Sequence, residues 1–152
     1  MAPAQKKPRG LVAQAVPFLQ ERLKPVAAVD GKRLAQLIAH LDSDEFTARQ
    51  KATEALERLG DLAVPALEKA LAGKPALEMR TRIERLLETA DRMPPPEVLR
   101  SLRAVEALEH AGTPEARQRL EALAKGADGA RLTREAQAAL QRLAKSAAKL
   151  KE

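Results

Sequence analysis

The chain has 152 residues, and it contains no cysteine, tryptophan or tyrosine and only two phenylalanines. This composition excludes disulfides, thiolate metal sites, a cysteine nucleophile and an aromatic platform for stacking nucleic-acid bases. Charged residues make up 32% of the chain and hydrophobic residues 45%, with a large share of Ala, Leu, Glu, Lys and Arg. Because this mixture is typical of packed helices, we predict an all-α protein.

The formal net charge of +6 is carried by the two ends of the chain. Residues 1–29 hold five basic and one acidic side chain, and residues 130–152 hold six basic and two acidic ones. No apolar run reaches the length of about 18 residues that a membrane span needs. We therefore expect a cytoplasmic protein without a membrane partner, in which residues 1–15 form a basic, disordered tail, residues 16–148 a helical repeat domain and residues 149–152 a frayed end.

Capping residues, glycines and prolines divide the chain from residue 30 onward into helices. The residues that favour a helix start or a helix stop are Asp30, the acidic segment 42–45, Gly60, Asp61, Gly73, Pro75, Gly112, Thr113 and Pro114. The predicted helices cover about 31–41, 45–59, 62–72, 75–91, 97–111, 114–125 and 131–148.

Four of the predicted helices share one spacing of apolar residues. Each has a small or apolar residue that is followed by apolar residues four and seven positions later and preceded by another six positions earlier. The first members of the sets, Ala52, Ile83, Ala104 and Ala136, are separated by 31, 21 and 32 residues. The predicted repeat core comprises Phe46, Ala52, Leu56, Leu59, Leu77, Ile83, Leu87, Val98, Ala104, Leu108, Ala136, Leu140 and Leu143.

Separations of 31 and 32 residues fit a repeat of two helices joined by a turn. The separation of 21 residues is too short for two helices, so we infer that one unit lacks its second helix and that Pro94–Pro96 replaces it. One helical hairpin has too little apolar surface to fold alone, and successive hairpins must therefore share a core. The predicted fold is an α-solenoid of about three to four helical-hairpin units.

The stretch from Leu37 to Leu71 resembles a HEAT repeat of the short, phycobilin-lyase-like type. The residues that carry the resemblance are Asp44, Arg49, Ala52, Leu56, Gly60 and the run Ala63-Val64-Pro65-Ala66-Leu67. The segments ERLKP, LDSDEF, HAGTPEAR and GARLTREA are also similar to a helical module found beside WD40 propellers in large bacterial proteins. The resemblance implies a HEAT-like α-solenoid that binds proteins, and it carries over no catalytic residue.

The residue types that could perform chemistry are not arranged as catalytic or metal sites. His40 and His110 each lie near a predicted helix C-terminus, where an imidazolium interacts favourably with the helix dipole. The acidic residues between 42 and 45 lack the ligand spacing and the glycine of an EF-hand, and no serine stands in a nucleophile elbow. We therefore predict no catalytic residue, no metal and no cofactor.

The leading functional hypothesis is a protein-protein interaction or scaffolding module without catalytic activity, whose partner the sequence does not identify. We expect its inner surface to come from the shorter helices. The candidate partner surface comprises Glu68, Lys69, Arg117, Glu121 and Lys125.

Two alternatives remain open at this point. The basic ends, or a concave face, suggest a HEAT-like protein that binds nucleic acid, and a candidate anion-binding patch surrounds the proline break. The residues of this patch are Arg80, Arg82, Arg85, Arg100 and Arg103. Acidic residues are interleaved with them, so the segment also fits a solvated face of mixed charge; these are Glu78, Glu84, Glu88 and Glu97. The resemblance to lyase-type repeats also suggests a bilin lyase-like protein.

Overall fold

The computed structural model describes the backbone of residues 9–149 and the side chains of these residues except those of 9–13 and Gln20. All regular structure in this part of the chain is helical, which confirms the all-α class. The helices are α1 (Arg9–Arg22), α2 (Gly31–His40), α3 (Phe46–Leu59), α4 (Val64–Ala72), α5 (Leu77–Asp91), α6 (Pro96–Ala111), α7 (Pro114–Leu123) and α8 (Arg131–Lys149). None of these helices combines the length and the apolar character that crossing a bilayer requires.

Local sequence determines several helix ends as predicted. The Asp30 carboxylate accepts a hydrogen bond from a backbone N–H in the first turn of α2, and the Thr113 hydroxyl does the same for α7. Each side chain thereby pairs one of the donors that a helix start leaves unsatisfied. Gly60 and Gly112 have φ angles of +51° and +59° just after α3 and α6, in the region that glycine enters without steric cost.

Other helix starts differ from the prediction. Helix α1 begins at Arg9, so it includes residues 9–15 that the sequence assigned to the tail; the remaining tail residues 1–8 lie outside the described residues. Before α4, Gly60–Leu62 form a single turn of 3-10 helix, and α4 itself begins at Val64 rather than near Asp61. At the other end of the chain, α8 continues to Lys149, and residues 150–152 lie outside the described part.

The chain divides into two compact units, which we name by their place in the sequence. The central unit comprises Ala27–Pro95 and Ala127–Ala130 and contains α2 to α5. The terminal unit contains α1, α6, α7 and α8, which come from residues 9–26, Pro96–Gly126 and residues 131–149. Each unit has its own cluster of buried apolar side chains.

The two units share a pattern of helix contacts, to which the terminal unit adds the packing of α7 on α6. In the central unit, α2 packs on α3, α4 packs on α5, and the two pairs meet through α2 with α4 and α3 with α5. In the terminal unit, α1 packs on α6, α7 packs on α8, and the pairs meet through α1 with α7 and α6 with α8. In the central unit the shorter helix α4 therefore packs on α5, the longer helix that follows it, whereas α7 in the terminal unit packs on both α6 and α8.

Helix α1 occupies the position in the terminal unit that α2 or α4 occupies in the central unit. The chain runs from α5 to α6 through Arg92–Pro95 without an intervening helix, as the short 21-residue separation predicted. Instead, Val16 and Leu23 of the α1 segment are only 3% and 5% exposed and join the core formed with α6, α7 and α8. A helix from the beginning of the chain thus packs against α6, which no short helix directly precedes in the sequence.

Most residues of the predicted repeat core are buried or partly buried, and two of them are exposed. Phe46 and Leu77 are 70% and 76% exposed, although both were assigned to the core. Each stands six residues before the first alanine or isoleucine of its set, and six residues at about 100° each place a side chain roughly 120° away from the buried stripe. Val98, at the same position in α6, is half-buried.

The remaining predicted core residues lie inside. Ala52, Leu56, Ile83, Leu108 and Ala136 are at most 1% exposed. Partly buried residues pack around them, namely Leu59, Leu87, Ala104, Leu140 and Leu143.

Candidate functional site

An open groove of about 460 Å³ runs between α6 and α8 of the terminal unit. Six of its residues lie on α6, and each of them has another of the six three or four positions away. They therefore share one face of that helix. Two residues of α8 complete it. The lining residues are Leu99, Leu102, Arg103, Glu106, Glu109, His110, Glu135 and Arg142.

Arg142 joins the two helices that form the groove. Its Nε and Nη2 each donate a hydrogen bond of 2.7 Å to the two carboxylate oxygens of Glu109 on α6. Nη2 also donates to Glu135 Oε1 at 2.7 Å, two turns earlier on α8. A planar guanidinium that matches a carboxylate with two parallel bonds fixes both side chains in one geometry.

This arrangement changes the titration of both partners. The hydrogen bonds from Arg142 hold the pKa of Glu109 below its ordinary value of 4.5, and the positive charge of the guanidinium acts in the same direction, while burial opposes the shift. The hydrogen bonds to Glu109 and Glu135 raise the pKa of Arg142 above its ordinary value. Glu109 and Arg142 are therefore both charged at neutral pH.

His110 lies at the C-terminal end of α6, next to Glu109. Its Nδ1 is 2.9 Å from the backbone carbonyl of Glu106 one turn earlier, so this nitrogen carries the proton that is donated. The predicted position near a helix C-terminus is correct, and the ring is exposed on the groove. In the neutral tautomer, Nε2 is left as a hydrogen-bond acceptor.

The groove combines a short apolar surface with fixed charges. Leu99 and Leu102 are half-buried and present their remaining area to solvent. Arg103 and Glu106 are exposed beside them. Such a surface can bind a partner segment through one or two apolar side chains and select it by charge.

The candidate partner surface predicted from the sequence is exposed but divided between the two units. Glu68 and Lys69 lie on α4 of the central unit. Arg117 and Glu121 lie four residues apart on α7 of the terminal unit, and Lys125 follows one turn later. The structure therefore places Arg117 and Glu121 on one face of α7 and Lys125 in the turn after it, and it places Glu68 and Lys69 in another unit.

The candidate anion patch is divided in the same way. Arg80 and Arg85 are exposed on α5 of the central unit, whereas Arg100 and Arg103 are exposed on α6 of the terminal unit. Arg82 has a structural role, because Nη1 donates to the Leu41 carbonyl at 3.2 Å and Nη2 to Glu78 Oε2 at 3.2 Å.

The sequence interpretation missed Glu109, Glu135 and Arg142 as members of a common site. The separation of 32 residues between Ala104 and Ala136 offered a clue, because it aligns Glu109 with the residue directly before Arg142. Within residues 9–149, no group of three or more His, Asp or Glu side chains is placed to hold a metal ion.

No protein-family model, no curated protein and no solved structure matches this chain, so its function is inferred from its own residues.

Proposed function

We propose that the chain is a HEAT-like helical repeat module that binds proteins or scaffolds them, and that the groove between α6 and α8 is its binding site. The observation that carries this proposal is the groove itself, in which Leu99 and Leu102 lie beside carboxylates held in place by Arg142. The repeated helix pairs support it, because stacked pairs create extended grooves between equivalent helices.

The charges of the groove indicate what kind of segment it binds. Three acidic side chains, Glu106, Glu109 and Glu135, face two basic ones, Arg103 and Arg142, so the lining carries one net negative charge with His110 neutral. Because Arg142 already engages Glu109 and Glu135, Glu106 is the acidic residue of the lining that most readily meets a partner's cation. We expect a partner segment with one or two apolar side chains next to a lysine or arginine.

Selection of peptides from a random displayed library on the full chain tests this proposal. Selected peptides should contain an apolar side chain near a basic one, and the double variant R103E/E106R should weaken their binding by about tenfold or more. Both residues are exposed, so the exchange leaves the net charge and the buried core unchanged.

The double variant R117E/E121R on α7 is the matched control, because it also exchanges two exposed charges of opposite sign one turn apart. Binding that is unchanged in this control and lost in R103E/E106R supports the groove. Binding that is lost only in R117E/E121R places the site on the α7 surface instead, and a selection without enriched peptides contradicts the proposal.

Nucleic-acid binding is a second candidate function, favoured by the distribution of charge. The described residues of the terminal unit hold thirteen Lys and Arg against seven Asp and Glu, whereas the central unit holds eleven against thirteen. On α8, exposed polar residues recur at intervals of three or four and give the helix a polar face with three basic side chains; these residues are Arg134, Gln137, Gln141, Lys145 and Lys149. Phosphates bind such a face without sequence preference.

Fluorescence anisotropy with a labelled DNA duplex tests this second candidate. Binding should weaken steeply as the salt concentration rises, and K145E/K149E should reduce the slope of log K against log salt by about 2. The variant K69E/K74E, with two exposed lysines changed in the central unit, is the control. No binding at low salt contradicts this function.

A further inference from the structure

The connection between α5 and α6 contains the one run of consecutive prolines in the chain. Pro94, Pro95 and Pro96 follow one another, whereas the other prolines occur singly. We call Arg92–Pro95, which join the last residue of α5 to the first residue of α6, the proline segment. None of its residues lines the groove between α6 and α8, so it is a separate candidate for a binding surface.

Local chemistry holds the proline segment in the polyproline II conformation. The rings of Pro94 and Pro95 lock φ near −65°, and the proline that follows each of them pushes ψ to about +120° to +160°. These two ranges together define polyproline II. Met93 also precedes a proline and is therefore extended as well. Arg92, with φ −62° and ψ 166°, continues this conformation back to the end of α5.

The exposure of the side chains follows the period of a polyproline II helix. This helix has three residues per turn, so one residue in three can face the protein while the next two face solvent. Pro94 is half-buried, whereas Met93 and Pro95 on either side of it are exposed. Met93, at 86%, is the most exposed large apolar side chain of the described residues. The proline segment therefore presents an apolar surface that a partner can cover.

The backbone of the proline segment accepts hydrogen bonds but offers few donors. Pro94 and Pro95 have no N–H group. A polyproline II helix makes no internal hydrogen bonds, so its carbonyl oxygens are available as acceptors. A complementary surface needs apolar area and donors together. Tryptophan and tyrosine side chains supply both, because their rings cover apolar groups and their N–H and O–H groups donate.

Charge contributes little to this surface. Four charged residues lie within four positions of the proline run, and two acidic side chains balance two basic ones. These residues are Asp91, Arg92, Glu97 and Arg100, and all four are exposed. The surroundings therefore have no net charge with which to attract a nucleic acid or to select a charged partner. Binding here depends on apolar contact and hydrogen bonds, and we expect it to change little with salt concentration.

We propose that the proline segment docks a protein domain whose groove is lined by tryptophan and tyrosine. Met93 and Pro95 pack against the aromatic rings of that groove, and the polar groups of the rings donate to carbonyl oxygens of the segment. The conformation is fixed before binding, so docking costs little conformational freedom. The contact area is small, and the association is accordingly weak.

An NMR titration of the isotope-labelled full chain tests this proposal. The probes are a panel of SH3 domains and WW domains, whose aromatic grooves recognise polyproline II segments. At least one domain should shift the amide signals of Arg92, Met93 and Glu97. The double variant M93S/P95A should weaken the binding of that domain by about tenfold or more. Both side chains are exposed, so the buried core is unchanged.

Pro25→Ala is the matched control, because Pro25 is also exposed, lies outside the helices and has no neighbouring proline. This variant should bind the domain as the wild type does, and thermal unfolding followed by circular dichroism verifies that both variants fold. A panel in which no domain binds overturns the proposal. A domain that M93S/P95A and P25A bind equally well also overturns it, and the prolines are then a rigid spacer between α5 and α6.

This surface is distinct from the groove of the proposed function. R103E/E106R should therefore leave the binding of the SH3 or WW domain unchanged, and M93S/P95A should leave the binding of selected peptides unchanged. Failure of either proposal is then visible without affecting the other.

Discussion

The central and terminal units reach similar arrangements of paired helices by different chain routes. The central unit takes its four helices from one stretch of sequence, and the terminal unit takes α1 from one end of the chain and α6 to α8 from the other. In both, two pairs of helices contact each other through equivalent helices. The comparison indicates that two helices pair when their apolar faces fit, and that the two helices need not be neighbours in the sequence.

The separation of α1 from α6 has a modest energetic cost. The connection between the two helices is formed by residues 23–95. The entropic cost of closing such a loop grows only with the logarithm of its length, by about 0.6 kcal/mol for each doubling. Helix α1 contains Pro17 and has no acidic residue in its first turn, so its own sequence stabilises it poorly. Burial of Val16 and Leu23 in the terminal core supplies the stabilisation instead.

The largest predicted effects come from removing a core leucine in each unit. Leu56 in the central unit and Leu108 in the terminal unit are at most 1% exposed, so each change to alanine leaves a cavity and should cost about 2–5 kcal/mol of the free energy of unfolding. Urea denaturation measures the cost. In L108A, amide hydrogen exchange should accelerate in α1 together with α6, α7 and α8.

The response of α1 in that experiment sharpens the comparison. Acceleration in α6 to α8 with no change in α1 would show that α1 is not part of the terminal unit. L56A provides the reference, because its cavity lies among α2, α3, α4 and α5.

The turn between α7 and α8 allows a second test. A Cβ on Gly126 would lie 2.6 Å from the Thr133 hydroxyl and 3.0 Å from the backbone nitrogen of Val26. Gly126→Ala should therefore cost about 1–3 kcal/mol, and a smaller cost is expected in a T133A background, where the hydroxyl is gone. An equal cost in both backgrounds, measured by urea denaturation, would locate the strain elsewhere.

Thr133, a buried residue of the terminal unit, has a hydroxyl group whose hydrogen-bonding capacity is not used. Its side chain is buried, and its hydroxyl oxygen has no hydrogen-bond partner. Leaving a buried polar atom unpaired costs free energy that an apolar side chain of the same shape avoids. Thr133→Val should thus be neutral or stabilising, in contrast to the other buried substitutions.

The two helix caps provide a matched pair with a smaller effect. Asp30 begins α2 in the central unit and Thr113 begins α7 in the terminal unit, with cap hydrogen bonds of 3.1 and 3.2 Å. Each change to alanine should cost about 1 kcal/mol. Glu57→Ala, an exposed change inside α3, should be near neutral in the same denaturation experiment.

The smallest effect, specific to the terminal unit, comes from Arg142. Its bonds hold the pKa of Glu109 below the ordinary value. The ion pair therefore stabilises the fold fully when the pH is above the ordinary carboxyl pKa, and this stabilisation is lost as the pH falls through the lowered pKa of Glu109. At pH 7 the variant R142Q should melt at a slightly lower temperature than the wild type, and this difference should disappear at strongly acidic pH. A difference independent of pH would assign it to packing rather than to the ion pair.

Sequence patterns predicted the helices better than their partners. The spacing of Ala52, Leu56 and Leu59 and the stop at Gly60 predicted α3 and its buried face, because both depend on residues within a few turns. The break at Pro94–Pro96 likewise predicted that a helix is missing before α6. The helix that packs on α6, α1, ends about 70 residues earlier in the chain, and no local spacing encodes that contact.

In the candidate site too, features that depend on local sequence were predicted and contacts between distant residues were not. His110 was placed correctly at the end of α6, since its position depends on the helix alone. The bonds from Arg142 to Glu109 join residues 33 apart, and they exist only because α6 and α8 pack together. Phe46 and Leu77 were assigned to the core because their spacing repeats, although a repeated spacing also occurs at equivalent positions on a repeated surface.

The central claim, that α1 completes the terminal unit, is tested most directly by NMR contacts between methyl groups. In a protein with labelled Val and Leu methyls, nuclear Overhauser effects are expected between Val16 or Leu23 and the methyl groups of Val105, Leu108 or Leu120, which share one core. Effects from Val16 and Leu23 that reach only sequence neighbours, or only the core of Leu41, Leu56 and Ile83, would contradict the account.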